Sequence, residues 1–229
     1  MITYFNLHRP ESERLLGDCS EAAPGLEAQT EILPCPITKE HVGGSRRISP
    51  LYVQVKHDRR DDLMIWCWGP GCVVHEQLLG DFAQQGFTGY QIRPATVRFR
   101  DGSTSIDYRE LIVTGWAGMA APESGIRVVK SCPACHWKTY SAFNDIERLI
   151  DWTQWTGDDF FIVWPLPLFT LITERVAQFL LSRKVKSFLL RGLGEIDPFV
   201  LKFGFGPGRL SDYFPEELAI RYGRPLGID

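Results

Sequence analysis

The feature that most constrains local structure in this chain is a single CxxC pair, Cys132-Pro133-Ala134-Cys135. Two thiolates at this spacing bind one metal ion from a tight turn. A tetrahedral structural zinc site needs two more ligands, which usually come from a second CxxC pair. The sequence has six cysteines but no second CxxC pair, so the remaining ligands must come from less regular positions.

Two groups of residues are candidates for the remaining ligands. The segment Cys35-Pro36-Ile37-Thr38 begins like a second pair but has threonine where the second thiol belongs. His41 lies close enough downstream to replace that thiol. A looser cluster, which also offers one ligand, consists of Cys67, Cys72 and His75. Spacing alone does not choose between these groups.

Zinc is therefore a candidate cofactor, with Cys35, His41, Cys132 and Cys135 as candidate ligands. One alternative is that Cys132 and Cys135 are reduced thiols in a turn that binds no metal. A redox pair is another alternative, but it requires a helix directly after the CxxC. Residues 136–140 are instead typical of a strand or loop, which disfavours redox chemistry.

Composition bounds the class of protein. With 229 residues, 44% of them hydrophobic, the chain can bury a full core as one domain, with possible sub-lobes 1–130 and 131–229. A net charge of -3 argues against nucleic acid as a partner. No apolar run is long enough to span a membrane, and residues 1–14 do not resemble a signal peptide. We therefore expect a cytoplasmic protein with reduced cysteines.

Helical and strand patterns alternate along the chain. Apolar spacing predicts a helix over residues 74–85 that ends at Gly86, followed by strands at 90–100 and 108–114. A helix capped by Thr173 and a strand at 185–190 repeat this order. An apolar strand is also predicted at 160–164, and an edge strand at 48–55. These patterns predict an α+β fold with mixed or antiparallel sheets and flanking helices. The repeated order indicates two similar helix–strand lobes around the CxxC turn.

A partner-binding surface is predicted near residue 155. A short helix from about residue 144 to Trp155 places Trp152 and Trp155 three residues apart, with Asp158 and Asp159 just beyond. Trp155, Asp158 and Asp159 would give an aromatic anchor beside acidic groups suited to a basic partner. The alternatives are that Trp152 belongs to the core and that the two aspartates form a solvated turn. The acidic stretch 18–31 is a second candidate surface.

Catalytic motifs are missing from the sequence. The five histidines show no HExxH spacing, and there is no GxSxG elbow, phosphate loop or dinucleotide fingerprint. The residues 204–208 are rich in glycine but lack the lysine and hydroxyl residue of a phosphate loop. We therefore predict that the protein is not an enzyme.

A series of short motifs follows in order along residues 75–190, with one more at residues 33–36. They are Leu33-Pro34-Cys35-Pro36, Leu79-Gly80-Asp81-Phe82, Gly86-Phe87-Thr88-Gly89, Pro94-Ala95-Thr96-Val97-Arg98-Phe99-Arg100, Tyr108-Arg109-Glu110-Leu111, Cys132-Pro133-Ala134-Cys135, Asp151-Trp152, Gly157-Asp158-Asp159-Phe160-Phe161, Val163-Trp164-Pro165 and Ile172-Thr173-Glu174-Arg175. The order of these motifs resembles the double-CxxCG paralogous family of myxobacteria.

This resemblance implies that Cys35, Cys132 and Cys135 occupy metal-binding positions. The chain departs from the family pattern at Thr38, which replaces a thiol, and at His136, which stands where the family has glycine. Either His41 or His136 is then a candidate replacement ligand.

The resemblance also implies a function. Members of the family and related immunity proteins protect a bacterial cell from toxins, so the expected partner is a cognate toxin domain that is encoded nearby and blocked stoichiometrically in the cytoplasm. The alternative is a zinc-stabilised adaptor or regulatory domain without catalysis. An enzyme of unrecognised type ranks third.

Overall fold

The computed structural model describes residues 3–12, 16–20, 30–32, 34–38, 41, 45–67, 71–196 and 205–229. Within these residues the chain forms 17 strands and three α-helices. The strands are β1 (Tyr4–His8), β2 (Leu16–Ser20), β3 (Thr30–Ile32), β4 (Ser45–Arg47), β5 (Leu51–Gln54), β6 (Met64–Cys67), β7 (Cys72–His75), β8 (Tyr90–Arg98), β9 (Thr104–Ser105), β10 (Tyr108–Val113), β11 (Gly115–Met119), β12 (Val128–Ser131), β13 (Lys138–Tyr140), β14 (Phe160–Trp164), β15 (Leu171–Thr173), β16 (Leu189–Arg191) and β17 (Phe205–Gly208). The helices are α1 (Glu76–Gln84), α2 (Glu174–Ser182) and α3 (Glu216–Gly223). The predicted α+β class with mixed sheets is confirmed.

Six strands pair in the order β10-β7-β6-β2-β5-β8, and β8 also pairs with β10, so the strands close into a ring. Parallel pairs (β2 with β6, β5 with β8) and antiparallel pairs alternate irregularly around it. Apolar side chains such as Val53, Ile65 and Val97 fill one cluster inside the ring. The predicted edge strand at 48–55 is wrong in its position: β5 has a partner on each side, because Pro50 precedes the strand and leaves its N–H groups intact.

A second sheet has the order β11-β14-β15-β1-β16, with β11 and β14 parallel. Its strand β14, which lies between β11 and β15, matches the predicted strand at 160–164 and is buried on both faces. Phe160 belongs to the cluster shared with α1 and α2, whereas Phe161 and Val163 face a cluster covered by the loops that follow β13. Strand β11 was not predicted, because its Gly-Trp-Ala-Gly-Met sequence has no alternating pattern.

Helices α1 and α2 are each followed by a strand, as predicted, but the strand predicted at 185–190 is shorter and later, as β16 (Leu189–Arg191). Each helix begins two residues after the first apolar residue of its pattern, because Val74 and Ile172 belong to the preceding strands β7 and β15. The core that contains Phe82 of α1 also contains Leu180 of α2. The two halves of the chain therefore share this core, and the division of one domain into sub-lobes 1–130 and 131–229 stays a prediction.

The predicted helix from residue 144 to Trp155 is wrong; this segment forms a series of turns. The side chain of Asp145 accepts a hydrogen bond from the N–H of Glu147 (3.1 Å), and that of Asp151 accepts one from Thr153 (3.0 Å). Aspartate side chains bonded to the backbone two residues later stabilise turns at the expense of helix. The turns still cover one face of the second sheet with Leu149 and Ile150.

A third sheet, β12-β13-β17, carries the CxxC turn between its first two strands. Its strand β13 is tied to the C-terminal segment, because Lys138 Nζ donates a hydrogen bond to the carbonyl of Leu226 (2.8 Å). Tyr140 at the end of β13 accepts a hydrogen bond from Trp164 of β14 (2.7 Å). These contacts fix the hairpin to the core.

Candidate metal centre

The CxxC turn links β12 to β13 as a tight hairpin. The N–H of Cys132 bonds to the carbonyl of Trp137 (2.8 Å), and the N–H of His136 bonds back to the carbonyl of Cys132 (3.0 Å). His136 has a φ of 58°, in the left-handed region that favours glycine. This conformation explains why glycine suits this position of such a turn. His136 adopts it although it has a Cβ atom.

The segment around Cys35 lies directly against this hairpin. The N–H of Ile37 donates to the Cys35 sulfur (3.4 Å), so the thiol is held from the backbone as in a turn of the CxxC type. His41 follows, and its imidazole lies beside the Cys35, Cys132 and Cys135 sulfurs. The structure therefore selects His41, and not Thr38 or His136, as the fourth member of the cluster.

The four candidate ligands converge on one point. The Cys35 and Cys132 sulfurs are 3.8 Å apart, and the Cys135 sulfur is 3.9 Å from His41 Nδ1. All four ligand atoms lie within 4.8 Å of one another. Two sulfurs on a tetrahedral zinc, with Zn–S of about 2.3 Å, are separated by ~3.8 Å. Cys35, His41, Cys132 and Cys135 are therefore close enough to hold a metal ion.

Local hydrogen bonds favour the thiolate form that metals require. The backbone N–H groups of Cys135 and Ala134 lower the pKa of Cys132 to about 6. Burial acts to raise the pKa of Cys35, but hydrogen bonds from the N–H groups of Thr38 and Ile37 outweigh it and lower that pKa. Thiolates are the species that bind zinc, so the backbone of both turns prepares the site for a cation.

Burial and neighbouring side chains shift the pKa values of the remaining two candidate ligands, Cys135 and His41. Burial raises the pKa of Cys135. Hydrogen bonds with the Cys35 and Cys132 side chains raise the pKa of His41. In the absence of metal the cluster thus favours a protonated imidazole beside thiolates, and a bound zinc would displace that proton from His41.

Two further side chains surround the cluster. Trp137 stacks on the His41 ring, with centroids 4.5 Å apart and an interplanar angle of 19°, and so fixes the imidazole plane. The Arg209 side chain hydrogen-bonds to the Cys135 thiol and acts to lower its pKa, against the larger effect of burial. Arg209 Nε is buried and makes no hydrogen bond within the part of the chain that the structure describes.

This environment fits a zinc ion bound by three thiolates and one imidazole. Such a centre carries one net negative charge, since three thiolates outweigh Zn²⁺. The Arg209 guanidinium, whose buried Nε has no partner among the described residues, supplies a positive charge beside such a centre. Sequence patterns did not indicate Arg209, because it lies 74 residues after Cys135 and belongs to no motif. Trp137 carried no signal either, beyond its place two residues after the CxxC pair.

The alternative cluster of Cys67, Cys72 and His75 does not form a site. Cys67 forms a disulfide with Cys19, whose Cα atom is 5.5 Å away. Cys72 is buried among apolar side chains, and this burial raises its pKa. His75 Nδ1 accepts a hydrogen bond from the N–H of Gln77 (3.1 Å) and caps α1.

The disulfide corrects the expectation that all the cysteines are reduced. Cys19 of β2 and Cys67 of β6 lie on paired strands of the closed ring, which brings the two side chains together. The free cysteines of the described structure are Cys35, Cys72, Cys132 and Cys135. Spacing gave no sign of the disulfide, because strand pairing and not sequence proximity creates it.

The structure leaves only part of the predicted partner surface at Trp155, Asp158 and Asp159 accessible. Asp159 is buried, and its carboxylate accepts hydrogen bonds from Thr173 Oγ1 (2.9 Å), Arg175 Nη2 (2.8 Å) and the N–H of Thr88 (3.1 Å). Its role is to join the loop after α1 to the start of α2, and it is not available to a partner.

Trp155 and Asp158 are both half-buried. The Trp155 ring packs against Trp152 and Phe161, with centroids 5.5 and 5.7 Å away, and its Nε1 donates to the carbonyl of Asp158 (3.2 Å). Asp158 accepts a hydrogen bond from Thr156 Oγ1. Trp152 packs in the same apolar cluster, so both tryptophans mainly cover the second sheet.

The second candidate surface, the acidic stretch 18–31, falls largely on residues 21–29, which lie outside the described residues. Comparison with protein-family models gives no match, and neither does comparison with curated proteins. The resemblance to the double-CxxCG family therefore stays a prediction. None of the helices in the described part of the chain has the length and apolar composition that a membrane crossing requires.

Proposed function

We propose that this protein is a non-catalytic binding protein whose structure depends on one zinc ion, and that its partner is a toxin domain that it neutralises. The observation that carries the proposal is the cluster of three thiols and one imidazole, whose ligand atoms all lie within 4.8 Å of one another. The toxin as partner rests on the resemblance of the sequence to an immunity family.

The ligand set supports a structural role for the metal. Catalytic zinc sites keep one coordination position for water or substrate, whereas structural sites are filled by four protein ligands. Here His41 supplies the fourth ligand, and the three cysteines are buried. When bound, zinc would supply a cross-link and no open coordination position.

The cross-link would join distant parts of the chain. Cys35 and Cys132 are separated by 97 residues in sequence, and the described segment around Cys35 contributes few other buried side chains. Zinc would therefore hold residues 34–38 and His41 against the β12–β13 hairpin. Binding energy at such a site becomes folding energy, because the unfolded chain has no preformed site.

In the proposed function, the partner is bound in the cytoplasm by surface occlusion. The Cys19–Cys67 disulfide argues against this location, since the thiol systems of the cytoplasm keep most cysteines reduced. An adaptor or regulatory domain stabilised by the same zinc is the alternative, and it differs only in the kind of partner.

The proposal is tested by co-expression with the product of the neighbouring gene. We expect a one-to-one complex and restored growth of cells that the neighbouring product alone kills. The Cys132→Ser variant should lose zinc and protection together, whereas Cys72→Ser, which alters a cysteine outside the cluster, should retain zinc. A zinc-containing protein that neither binds nor protects against that product would contradict the toxin assignment and favour the adaptor.

A further inference from the structure

Strand β12 is the most exposed of the strands of four or more residues in which the structure describes the exposure of every side chain. All four of its side chains are exposed, including Val128 at 48% and Val129 at 58%. Within the described residues β12 pairs with β13 alone, so its other edge presents unpaired backbone groups. An exposed edge with consecutive β-branched residues is a template for pairing with another strand.

The charge of the hairpin is one-sided. Residues 125–140 contain no acidic side chain, although the whole chain has a net charge of -3. Arg127 and Lys130 flank the two valines and are exposed. Lys138 is directed elsewhere, to the carbonyl of Leu226. The free edge is therefore apolar at its centre and positively charged at both ends.

We propose that β12 is the docking edge for an extended, acidic segment of a partner protein, which adds to the β12-β13-β17 sheet as a fourth strand. Main-chain hydrogen bonds would supply the pairing, and carboxylates opposite Arg127 and Lys130 would select the partner. The inference rests on the proposed binding function and names the surface through which it acts.

A second copy of the chain fits this edge less well. In the antiparallel self-pairing that places Val128 opposite Val129, Arg127 lies opposite Lys130 at both ends. Like charges directly across a strand pair are destabilising. A segment with acidic residues at those two positions turns both repulsive contacts into attractive ones.

A single-stranded nucleic acid also fits less well. Such ligands bind through aromatic side chains on which bases stack, beside a basic groove. Neither aromatic ring of this hairpin is free for stacking: Trp137 already stacks on His41, and Tyr140 is buried against Trp164. The exposed residues of β12 are two valines, a lysine and a serine, which offer no stacking platform.

Lysine and a β-bulge on an edge strand can also serve to block pairing, and β12 has both. The bulge lies between Val128 and Lys130 in the pairing with β13.

The metal ligand Cys132 directly follows Ser131, so the candidate zinc site anchors one end of the strand. A rigid edge of this kind lowers the entropy that a partner strand loses on binding.

The test uses the full chain and a library of random-sequence peptides selected for binding to it. We expect selected peptides in which acidic and apolar residues alternate. The best peptide, made synthetically, should protect the amides of residues 128–131 from hydrogen exchange. The double substitution Arg127→Glu and Lys130→Glu should weaken the binding of this peptide to the protein by about tenfold or more.

Lys186→Glu is the matched control, since Lys186 is an exposed lysine outside the hairpin, and it should leave the binding of the peptide nearly unchanged. Selected peptides without acidic enrichment, protection at another surface, or no selected peptide would overturn the proposal. Protection of residues 128–131 by oligothymidylate, or by concentration-dependent self-association of the chain without peptide, would overturn it in favour of those occupants.

Zinc content measured on the same samples separates the two proposals. A zinc-loaded protein that binds no acidic peptide refutes the docking edge and leaves the metal centre intact. A protein that binds the peptide but contains no zinc refutes the zinc-dependent part of the proposed function and supports the edge.

Discussion

At the residue scale, the candidate metal centre depends on side chains other than its four ligands. Trp137 holds the plane of His41, and Arg209 places a positive charge beside Cys135. Outer residues of this kind orient ligands and balance charge, and their loss weakens metal binding even though they never contact the ion. Arg209 is the more informative of the two because its proposed role is electrostatic and its charge can be varied separately.

Arg209→Gln should lower zinc affinity by about 10–100-fold, because it removes the charge that offsets a negatively charged centre. Arg209→Lys keeps the charge and should retain most of the affinity. Competition with a chromophoric chelator measures both values. Equal affinities for Arg209→Gln and the parent protein would show that Arg209 serves only to pack the segment after β17.

At the element scale, α1 and α2 end in the same way. After α1, the N–H of Gly86 bonds to the carbonyl of Ala83 (3.0 Å) and that of Phe87 to Phe82 (3.1 Å). After α2, Lys184 and Val185 make the equivalent bonds to Leu181 and Leu180 (3.0 and 3.2 Å). Both Gly86 and Lys184 have positive φ, at 65° and 53°. This is the Schellman ending, which glycine fits best.

Lys184→Gly should therefore raise the free energy of unfolding by about 1 kcal/mol, since it relieves the left-handed conformation of a lysine. Gly86→Ala is the matched reverse change and should lower it by about 1 kcal/mol, because a Cβ at this position has open space and only the backbone conformation is unfavourable. Urea denaturation measures both. A destabilising effect of Lys184→Gly would contradict the assigned helix ending.

Sequence patterns predicted these helices and strand β14 because each depends on local apolar spacing. They predicted the cysteine turn because CxxC spacing alone brings two thiols close enough to bind one metal ion. The choice of His41, the charge of Arg209 and the closed ring of strands depend on contacts between distant residues, which no local pattern encodes. The helix predicted before Trp155 failed because Asp145 and Asp151 bond to the backbone and form turns.

At the scale of the whole molecule, a disulfide joins distant segments of the closed ring, and zinc in the candidate metal centre would add a second cross-link. Cys19 and Cys67 are 48 residues apart, and the disulfide holds β2 to β6. The metal centre would join residues 34–38 and His41 to the third sheet. The core shared by α1 and α2 connects the ring to the second sheet without either cross-link.

Cys19→Ser should lower the free energy of unfolding by up to about 4 kcal/mol in the absence of reductant, because a disulfide across 48 residues limits the unfolded chain. With reductant present, most of the difference from the parent protein should disappear. Urea denaturation under both conditions measures this effect. Thiol titration of protein isolated without exposure to air provides the check: free thiols at both Cys19 and Cys67 would show that the pair is reduced in the cell.

The central claim is that Cys35, His41, Cys132 and Cys135 bind one zinc ion as a closed structural site. X-ray absorption at the zinc edge of the purified protein tests it most directly. We expect one zinc per chain, with three sulfur ligands at about 2.3 Å and one nitrogen at about 2.0 Å. A zinc-free protein with a native fold, or a zinc bound by water and fewer than three sulfurs, would contradict it.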